Sequence, residues 1–386
     1  MDENLHFDVV IVGAGPAGVA AGIELKKRGI NCAIIDKHTF PRDKLCGGLM
    51  TEKTYEVLGE LLGGELEAVD SAISVISNNI SIWNRGTLIQ GARTNTKLRV
   101  AERETLDNSL KEFYTKLGGV IFEGERALRV DFDKRVLYTD KKSYSYSSLI
   151  AADGANSTIR RAIMGPLSKM GFCLECYIPK EDFEFDDSVR LHFGSINRGY
   201  AWVFPAGTYS KVGFGNIYDK KTDYKIIFNA YLNDIGVKNP EKYTIKGAFL
   251  PFGDYPKRAT YKNSVFLVGD AAGMVDAIYG EGLYFSYLSG MSAAKCIADS
   301  QGNLSIAAKS YERMRKPWLR KIKNGRRFNR LFFSKPFQRC FMKNINGREA
   351  FLRYYVDSQV SYYRYSHTQI LRLIYDYKNR KRNATH

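Results

Sequence analysis

The chain has 386 residues, 44% of them apolar, and its 58 Lys and Arg against 41 Asp and Glu give a formal net charge of +17. This composition excludes a mostly disordered protein, and no apolar run reaches the ~18 residues that a membrane-spanning helix needs. Residues 309–386 hold 21 basic and four acidic residues, whereas residues 1–308 hold 37 of each. The charge surplus is therefore a property of the C-terminal segment.

The N-terminus predicts a nucleotide-binding βαβ unit. Residues 7–12 are apolar except for Asp8, a pattern typical of a buried parallel strand. A glycine-rich turn follows, then a helical pattern that ends at Gly29, and then a second strand over residues 31–35. Asp36 stands directly after that strand, where dinucleotide-binding units carry an acidic residue.

The turn has the sequence Gly13-Ala-Gly15-Pro-Ala-Gly18. Gly13 permits a tight turn, Gly15 lets the backbone approach a pyrophosphate, and Gly18 lets the helix pack on the strand. The helix N-terminus attracts the phosphate charge, and Asp36 can accept hydrogen bonds from an adenosine ribose. The motif predicts a dinucleotide site and leaves NAD and FAD both open.

The rest of the chain alternates between helical and strand patterns. We expect a helix over 98–117, strands over 119–151, an aromatic-rich antiparallel sheet over 172–250, a buried strand over 264–268, a helix near 281–299 and helical spacing beyond 304. A polar start with Asp2 and Glu3 predicts no signal peptide and a cytoplasmic location.

The six cysteines are too sparse for a disulfide scaffold. Cys173-Leu-Glu-Cys176 has the spacing of a redox or metal pair, but in an alternating strand the two thiols face different directions, so ordinary packing is favoured. None of the five histidines pairs with carboxylates at metal-ligand spacing. We therefore predict no metal site.

Two later segments decide between the dinucleotides. Ala152-Asp153-Gly154, with the polar residues that follow, resembles the DG fingerprint of flavoproteins built like p-hydroxybenzoate hydroxylase. Val268-Gly269-Asp270-Ala-Ala-Gly273 resembles the second FAD fingerprint of the same group, in which the aspartate binds the ribityl chain. A nicotinamide dehydrogenase needs neither segment, so the three motifs in this order favour bound FAD.

Further motifs resemble the geranylgeranyl reductase family over about residues 7–300. They are Tyr200-Ala-Trp202-Val-Phe204-Pro205 followed by Gly213-Phe-Gly215, then Lys44-Leu-Cys46-Gly47-Gly48, Gly280-Glu281-Gly282-Leu283, and an arginine at Arg103. The chain departs from the pattern at Asn197, where many members have proline. Alternation alone favours ordinary core packing for the three aromatic residues, and the resemblance reverses this by implying that they line the substrate cavity.

The resemblance implies a set of FAD contacts and no named catalytic residue. The ADP half would be held by Gly13, Gly15, Ala17, Gly18 and Asp36, other parts of FAD by Arg103, Asp270 and the backbone of Ala127, and the ring by Cys46, Gly47, Leu49, Gly282 and Leu283. The candidates for lining the substrate cavity are Cys46, Tyr200, Trp202 and Phe204. We do not assign the proton donor from the sequence.

The predicted fold is α/β, of the p-hydroxybenzoate hydroxylase type. Residues 1–75, 96–170 and 256–300 are assigned to a discontinuous Rossmann-type FAD domain. Residues 76–95 and 171–255 are assigned to an antiparallel-sheet substrate domain, and 301–386 to a basic helical C-terminal region.

The resemblance implies an FAD-dependent oxidoreductase that reduces C=C bonds of an isoprenoid or other apolar, lipid-like substrate. No second GxGxxG follows Gly18, so NAD(P)H that docks transiently, or a reduced protein donor, would supply electrons. One alternative is a flavin monooxygenase or a halogenase. Halogenases have a similar aromatic motif and a reactive lysine, but here the first aromatic residue is Tyr200 and we match no lysine. The other alternative is a non-catalytic flavin-bearing membrane or nucleic-acid binder.

The basic segment 309–386 mixes cations with aromatic residues. It fits a helical cap with solvated cations, and it also fits a contact with an anionic membrane surface, which would place the protein at the inner face of the membrane. Nucleic-acid binding is disfavoured, and the sequence indicates no oligomeric state.

Overall fold

The computed structural model describes residues 4–334 and Phe337. Most of the segment 335–386, including most of the predicted basic region, lies outside the described residues. The strands are β1 (Asn4–Val12), β2 (Cys32–Ile35), β3 (Leu49–Met50), β4 (Ile73–Asn84), β5 (Thr87–Ala101), β6 (Val120–Phe122), β7 (Ala127–Asp131), β8 (Val136–Thr139), β9 (Ser143–Ala151), β10 (Met170–Pro179), β11 (Val189–Phe193), β12 (Gly199–Ala206), β13 (Tyr209–Ile217), β14 (Lys246–Pro251), β15 (Thr260–Tyr261) and β16 (Val265–Leu267).

The helices are distributed between and after these strands. They are α1 (Pro16–Lys27), α2 (Glu52–Leu62), α3 (Glu67–Asp70), α4 (Arg103–Lys116), α5 (Thr158–Met164), α6 (Tyr224–Asp234), α7 (Leu283–Asp299) and α8 (Leu304–Phe332). None of the helices among the described residues is both long and apolar enough to cross a membrane.

The first sheet has a parallel centre in the order β16-β9-β1-β2-β6, with β15 and the β7–β8 hairpin added antiparallel. Its central strands are buried on both faces, as the apolar run of β1 predicts. Helix α7 crosses α1 at very short range: a Cβ on Gly290 would lie 2.0 Å from the carbonyl oxygen of Ala17. Glycine at this crossing lets the two helices pack against the same sheet.

The second sheet is mostly antiparallel, in the order β14-β10-β13-β12-β11-β4-β5-β3, with β4 and β11 parallel. One face carries the aromatic residues of β12, while the other packs against α6. Cys173 and Cys176 of β10 belong to these two different faces, as the alternation predicts. The α/β class predicted from the sequence is confirmed.

Two predicted elements differ from the structure. Residues 172–250 were expected to be sheet throughout, but they include helix α6, whose apolar residues pack against one face of that sheet. Residues 98–101 were expected to begin a helix, but they end β5, and α4 begins at Arg103. Leu98 and Val100 pair with β4 and are fully buried, so their burial in the sheet outweighs the helical pattern. Residues 49–50, 73–75 and 96–101 therefore belong to the second sheet, although we assigned all three to the segments of the FAD domain.

Candidate FAD and substrate site

A cavity of about 680 Å³ lies at the carboxyl ends of the parallel strands and extends along the aromatic face of the second sheet. Its volume is typical of a cofactor or ligand cavity. The following predicted residues line it: Gly13, Gly15, Ala17, Asp36, Cys46, Gly47, Leu49, Arg103, Ala127, Tyr200, Trp202, Phe204, Asp270, Gly282 and Leu283. Gly18 does not line it, because it packs beneath the turn.

At the dinucleotide end, the glycine motif forms a close backbone cradle. Gly13 has a φ of +104°, and a Cβ there would lie 2.4 Å from the Ala152 carbonyl oxygen. The Cβ position of Gly15 is open, with its nearest neighbour an Arg42 nitrogen at 3.7 Å. Because α1 begins at Pro16, its N-terminal amides face this space, which therefore fits a diphosphate.

Asp36 is held in place by the backbone. Its Oδ2 accepts from the amide of Ala14 at 2.6 Å, and its Oδ1 accepts from the amide of His38 at 2.8 Å. A carboxylate oxygen has two lone-pair sites, so each oxygen still has room for a ribose hydroxyl. The position agrees with the ribose role that the sequence predicts for Asp36.

Arg103 stands in a buried charge network that was not predicted. Its guanidinium donates two hydrogen bonds to Asp107, at 3.0 and 2.9 Å, and Arg42 lies 3.1 Å from the same carboxylate. Burial opposes the charge on Arg103, but Asp107 outweighs it and raises the pKa of Arg103. Two guanidiniums share one carboxylate, so this cluster keeps a local positive charge that suits the FAD diphosphate.

Asp270 lies at the start of a short 3₁₀ turn after β16. Burial raises the pKa of its carboxyl, and Lys44, Arg103 and Arg160 oppose that rise. Arg160 itself is tied to the backbone, donating to the carbonyl oxygen of Ala271 at 3.3 Å. The side chain of Asp270 thus borders the cavity within a mostly cationic surrounding, a position that fits hydrogen bonding to the flavin ribityl hydroxyls.

The segment after Lys44 lies against the second sheet. A Cβ on Gly47 would lie 2.7 Å from the Phe204 ring and 3.2 Å from Trp202 Nε1. Only glycine allows the chain to approach the aromatic residues so closely. Helix α7 begins at Leu283, and Gly282 and Leu283 line the cavity at its N-terminus. The side chain of Glu281 just before it is engaged by Lys53 and Thr51.

The aromatic motif forms a continuous wall. The ring of Trp202 lies 5.9 Å from Tyr200 on one side and 5.9 Å from Phe204 on the other. A Cβ on Gly213 would lie 2.5 Å from the indole of Trp202, so the glycines of the GxG motif make room for it. Tyr200 Oη donates to the Tyr279 carbonyl oxygen at 2.5 Å and fixes one end of the wall.

Sequence reasoning missed Glu175 of β10, which lines the cavity. Its side chain lies on the face of the second sheet that carries Trp202. Trp202 Nε1 donates to Glu175 Oε2 at 3.1 Å. The signal available in the sequence was an acidic residue between Cys173 and Cys176 in an otherwise apolar strand. Lys44 also lines the cavity, so the wall contains a lysine that we did not match to the halogenase pattern.

Comparison with known proteins agrees with this geometry. An FAD binding domain model matches residues 6–173. An uncharacterised protein of Methanosarcina barkeri is 31% identical over 301 residues, covering 76% of this chain and 75% of its own. The chloroplastic geranylgeranyl diphosphate reductase of Arabidopsis thaliana is 27% identical, covering 78% and 68%, and the menaquinone reductase of Mycolicibacterium smegmatis is 27% identical, covering 76% and 76%.

The chain belongs to the geranylgeranyl reductase family of FAD-dependent oxidoreductases. Its fold is that of a geranylgeranyl bacteriochlorophyll reductase-like protein of Thermoplasma acidophilum, with a TM-score of 0.73 at 21% identity over 96% of each chain. PqsL, a probable FAD-dependent monooxygenase of Pseudomonas aeruginosa, also shares the fold, with a TM-score of 0.65 at 15% identity over 84% of this chain and 96% of its own.

Proposed function

We propose that this oxidoreductase reduces C=C bonds of an isoprenoid chain or another apolar, lipid-like substrate. The observation that carries the proposal is the aromatic wall of Tyr200, Trp202 and Phe204, which continues directly from the dinucleotide end of one cavity. Phe249, Leu250 and Phe252 extend the apolar lining. Such a surface gives favourable burial to a hydrocarbon chain.

The protein groups have separable roles in this proposal. The glycine cradle, Asp36 and the Arg42–Arg103 pair would hold the dinucleotide, and Asp270 with the start of α7 would hold the flavin part. Bound FAD supplies hydride chemistry when reduced, and amides at the start of α7 suit negative charge on the reduced ring. The aromatic wall would orient the substrate chain and exclude water from it.

The decisive test is an anaerobic assay with dithionite as reductant and two probes, geranylgeranyl diphosphate and menaquinone. Dithionite itself reduces the menaquinone ring to the quinol, so the products are first reoxidised in air. We then expect mass spectrometry to show two added hydrogen atoms per reduced double bond, with no requirement for oxygen in the enzymatic step. Protein without FAD serves as the control. Failure to reduce either lipid, together with an oxygen-dependent product, would instead support a monooxygenase.

The halogenase alternative is favoured by one observation, which is Lys44 in the cavity wall. Under that alternative, reduced flavin reacts with oxygen and product forms only in air. A halide requirement would separate a halogenase from a monooxygenase in the same assay.

The external reductant forms part of the same proposal. We propose that NAD(P)H docks transiently or that a reduced protein donates electrons. Anaerobic bleaching of the flavin absorbance by NADPH or NADH, compared with dithionite, distinguishes the two routes. Bleaching by dithionite alone would indicate a protein donor.

We further propose that the outer face of α8 contacts an anionic membrane surface that holds the substrate. Seven exposed cations recur every three or four residues along this face: Lys309, Arg313, Lys316, Arg320, Lys323, Arg327 and Arg330. The described residues provide no ion pair for any of them. Met314, beside these cations, is 40% exposed. On the inner face of the helix, Phe332 packs against Phe193, which contacts Tyr200.

Neutralising three of these cations tests the membrane proposal. The triple variant Arg313→Gln, Arg320→Gln, Arg327→Gln should bind vesicles containing phosphatidylglycerol on the order of 100-fold more weakly, since each basic residue near an anionic surface contributes ~1 kcal/mol. Cosedimentation measures the partitioning. Lys116→Gln, Lys134→Gln, Lys220→Gln is the control, because it removes equal charge from exposed positions elsewhere. Equal partitioning of the two triple variants would refute a role for α8.

A further inference from the structure

The proposed reduction requires an acid as well as a hydride. Saturation of a C=C bond adds hydride to one carbon and a proton to the other, and reduced FAD supplies only the hydride. Seven carboxyl groups line the described cavity: Asp36, Asp43, Glu125, Asp153, Glu175, Asp270 and Glu281. The acid must reach the substrate at the aromatic wall, so the position of each carboxyl group decides whether it can serve as the acid.

Six of the seven carboxyl groups lie at other parts of the cavity or are held by other partners. Asp36 is bound by backbone amides of the dinucleotide end, and Asp153 caps α5 by accepting from the amide of Thr158 at 2.8 Å. Glu125 accepts from Tyr144 at 2.8 Å on the first sheet. Asp270 belongs to the flavin fingerprint. The other two, Asp43 and Glu281, are held by lysines in ion pairs.

We propose that Glu175 is the acid that protonates the substrate carbon, an inference that rests on the proposed reductase function. Its side chain is 1% exposed to solvent but borders the cavity, and it is hydrogen-bonded to Trp202 in the centre of the aromatic wall. Gly47, in the segment assigned to the flavin ring, approaches Trp202 Nε1 closely, so the acid lies where ring and substrate would meet.

The hydrogen bond to Trp202 determines which carboxyl oxygen carries the proton. An indole N–H only donates, so Oε2 must accept from it at 3.1 Å. The other oxygen, Oε1, is buried and has no hydrogen-bond partner among the described residues. A carbonyl oxygen is a better acceptor than a hydroxyl oxygen, so in the neutral acid this hydrogen bond favours the proton on Oε1. Trp202 acts as a positioning residue that fixes the direction of this O–H.

The surroundings favour the protonated form near neutral pH. Burial raises the pKa of Glu175 to about 7, although Lys211 and the Trp202 hydrogen bond oppose the rise. Lys211 is itself paired with Glu102 at 3.1 Å, which limits its effect on Glu175. The titratable groups around Glu175 on all neighbouring elements are Asp43, Cys46, Glu102, Cys173, Cys176, Tyr177, Tyr209 and Lys211.

The π bond of the alkene breaks, one carbon gains a C–H bond with the hydride that reduced FAD supplies, and the other carbon gains the Oε1 proton. Glu175 is left as a carboxylate, FAD is left oxidised, and one proton from solvent restores the acid. The external reductant of the proposed function re-reduces FAD.

The kinetic test uses Glu175→Gln, which keeps an acceptor for Trp202 but cannot give up a proton. With the full-length FAD-loaded protein and the two lipid probes, kcat should fall by about 10²–10⁴-fold while KM and FAD affinity stay within twofold. Wild-type kcat should be constant below about pH 7 and fall above it, because only the neutral acid is active. The residual activity of Glu175→Gln should not depend on pH in this range. Glu181→Gln, an exposed change of the same kind, should match wild type.

A second readout does not depend on turnover. Ionisation of Glu175 should change the fluorescence of Trp202, so a pH titration of the resting protein should show a transition near pH 7. The transition should disappear in Glu175→Gln and in Trp202→Phe. If it persists in Glu175→Gln, or if that variant keeps the wild-type pH profile, the proposal is wrong. If neither lipid is reduced by wild type, the proposed function fails, and the titration alone still decides whether Glu175 is an acid with a pKa near 7.

Discussion

Replacing Gly18 by alanine is expected to abolish FAD retention. The new Cβ would lie 1.8 Å from the carbonyl oxygen of Gly13 and 3.2 Å from the Ala152 side chain. The overlapping atom of Gly13 is a backbone oxygen, so no side-chain rotation relieves the overlap. The N-terminus of α1 must move away from β1, or the Gly13 turn must open. Either change displaces the amides that face the diphosphate.

The expected loss is about 100-fold or more in FAD affinity, which corresponds to the ~3 kcal/mol that overpacking of this kind costs. Titration of FAD into the flavin-free protein, followed by flavin fluorescence, measures it. Gly59→Ala is the matched control, because its Cβ would lie 3.8 Å from its nearest neighbour, Leu66, inside α2. That variant should bind FAD normally and be slightly more stable, since alanine favours helix over glycine. Normal FAD binding by Gly18→Ala would show that the cradle does not hold the dinucleotide.

Asp107→Asn should destabilise the flavin-free protein by about 3–5 kcal/mol, the usual result of removing one partner from a buried ion pair. The Asp107 side chain is 1% exposed and serves both Arg103 and Arg42, which would be left without a carboxylate. Urea unfolding of flavin-free protein measures the free energy of unfolding. Asp299→Asn is the control, because Asp299 pairs with Arg28 at the surface and is 66% exposed. That exposed pair should contribute less than about 1 kcal/mol.

Bound FAD should reduce the effect of Asp107→Asn. The proposed diphosphate position lies against Arg42, so phosphate oxygens would replace part of the lost negative charge. We expect the destabilisation to be clearly smaller in FAD-saturated protein than in flavin-free protein. An equal loss in both forms would show that the diphosphate does not contact these arginines.

The dinucleotide end could be predicted from the sequence because its chemistry is local. Glycines at positions 13, 15 and 18 and the acidic residue after β2 act through the backbone of one βαβ unit, and all of their spacing is contained in about 30 residues. The aromatic motif on β12 was equally visible. Its role as a wall needed the structure, since alternation alone is also typical of a packed strand face.

The errors and omissions have one physical origin. Residues 98–101 follow a helical pattern, but pairing with β4 makes them strand, and such pairing is not visible within the segment itself. The Arg42–Asp107–Arg103 network joins α4 to the loop after β2, which are more than 60 residues apart in the sequence.

The sequence by itself determined the family and the α/β class, and it predicted an FAD cradle, because backbone contacts made by short contiguous motifs leave a fixed pattern of residues. Only the tertiary structure singled out Glu175. Its elevated pKa arises from burial among β10, β12 and β13 and from a hydrogen bond to a tryptophan 27 positions away. The pKa of a carboxyl group depends on the groups that surround it. Around Glu175 those groups meet only when the strands of the second sheet have paired.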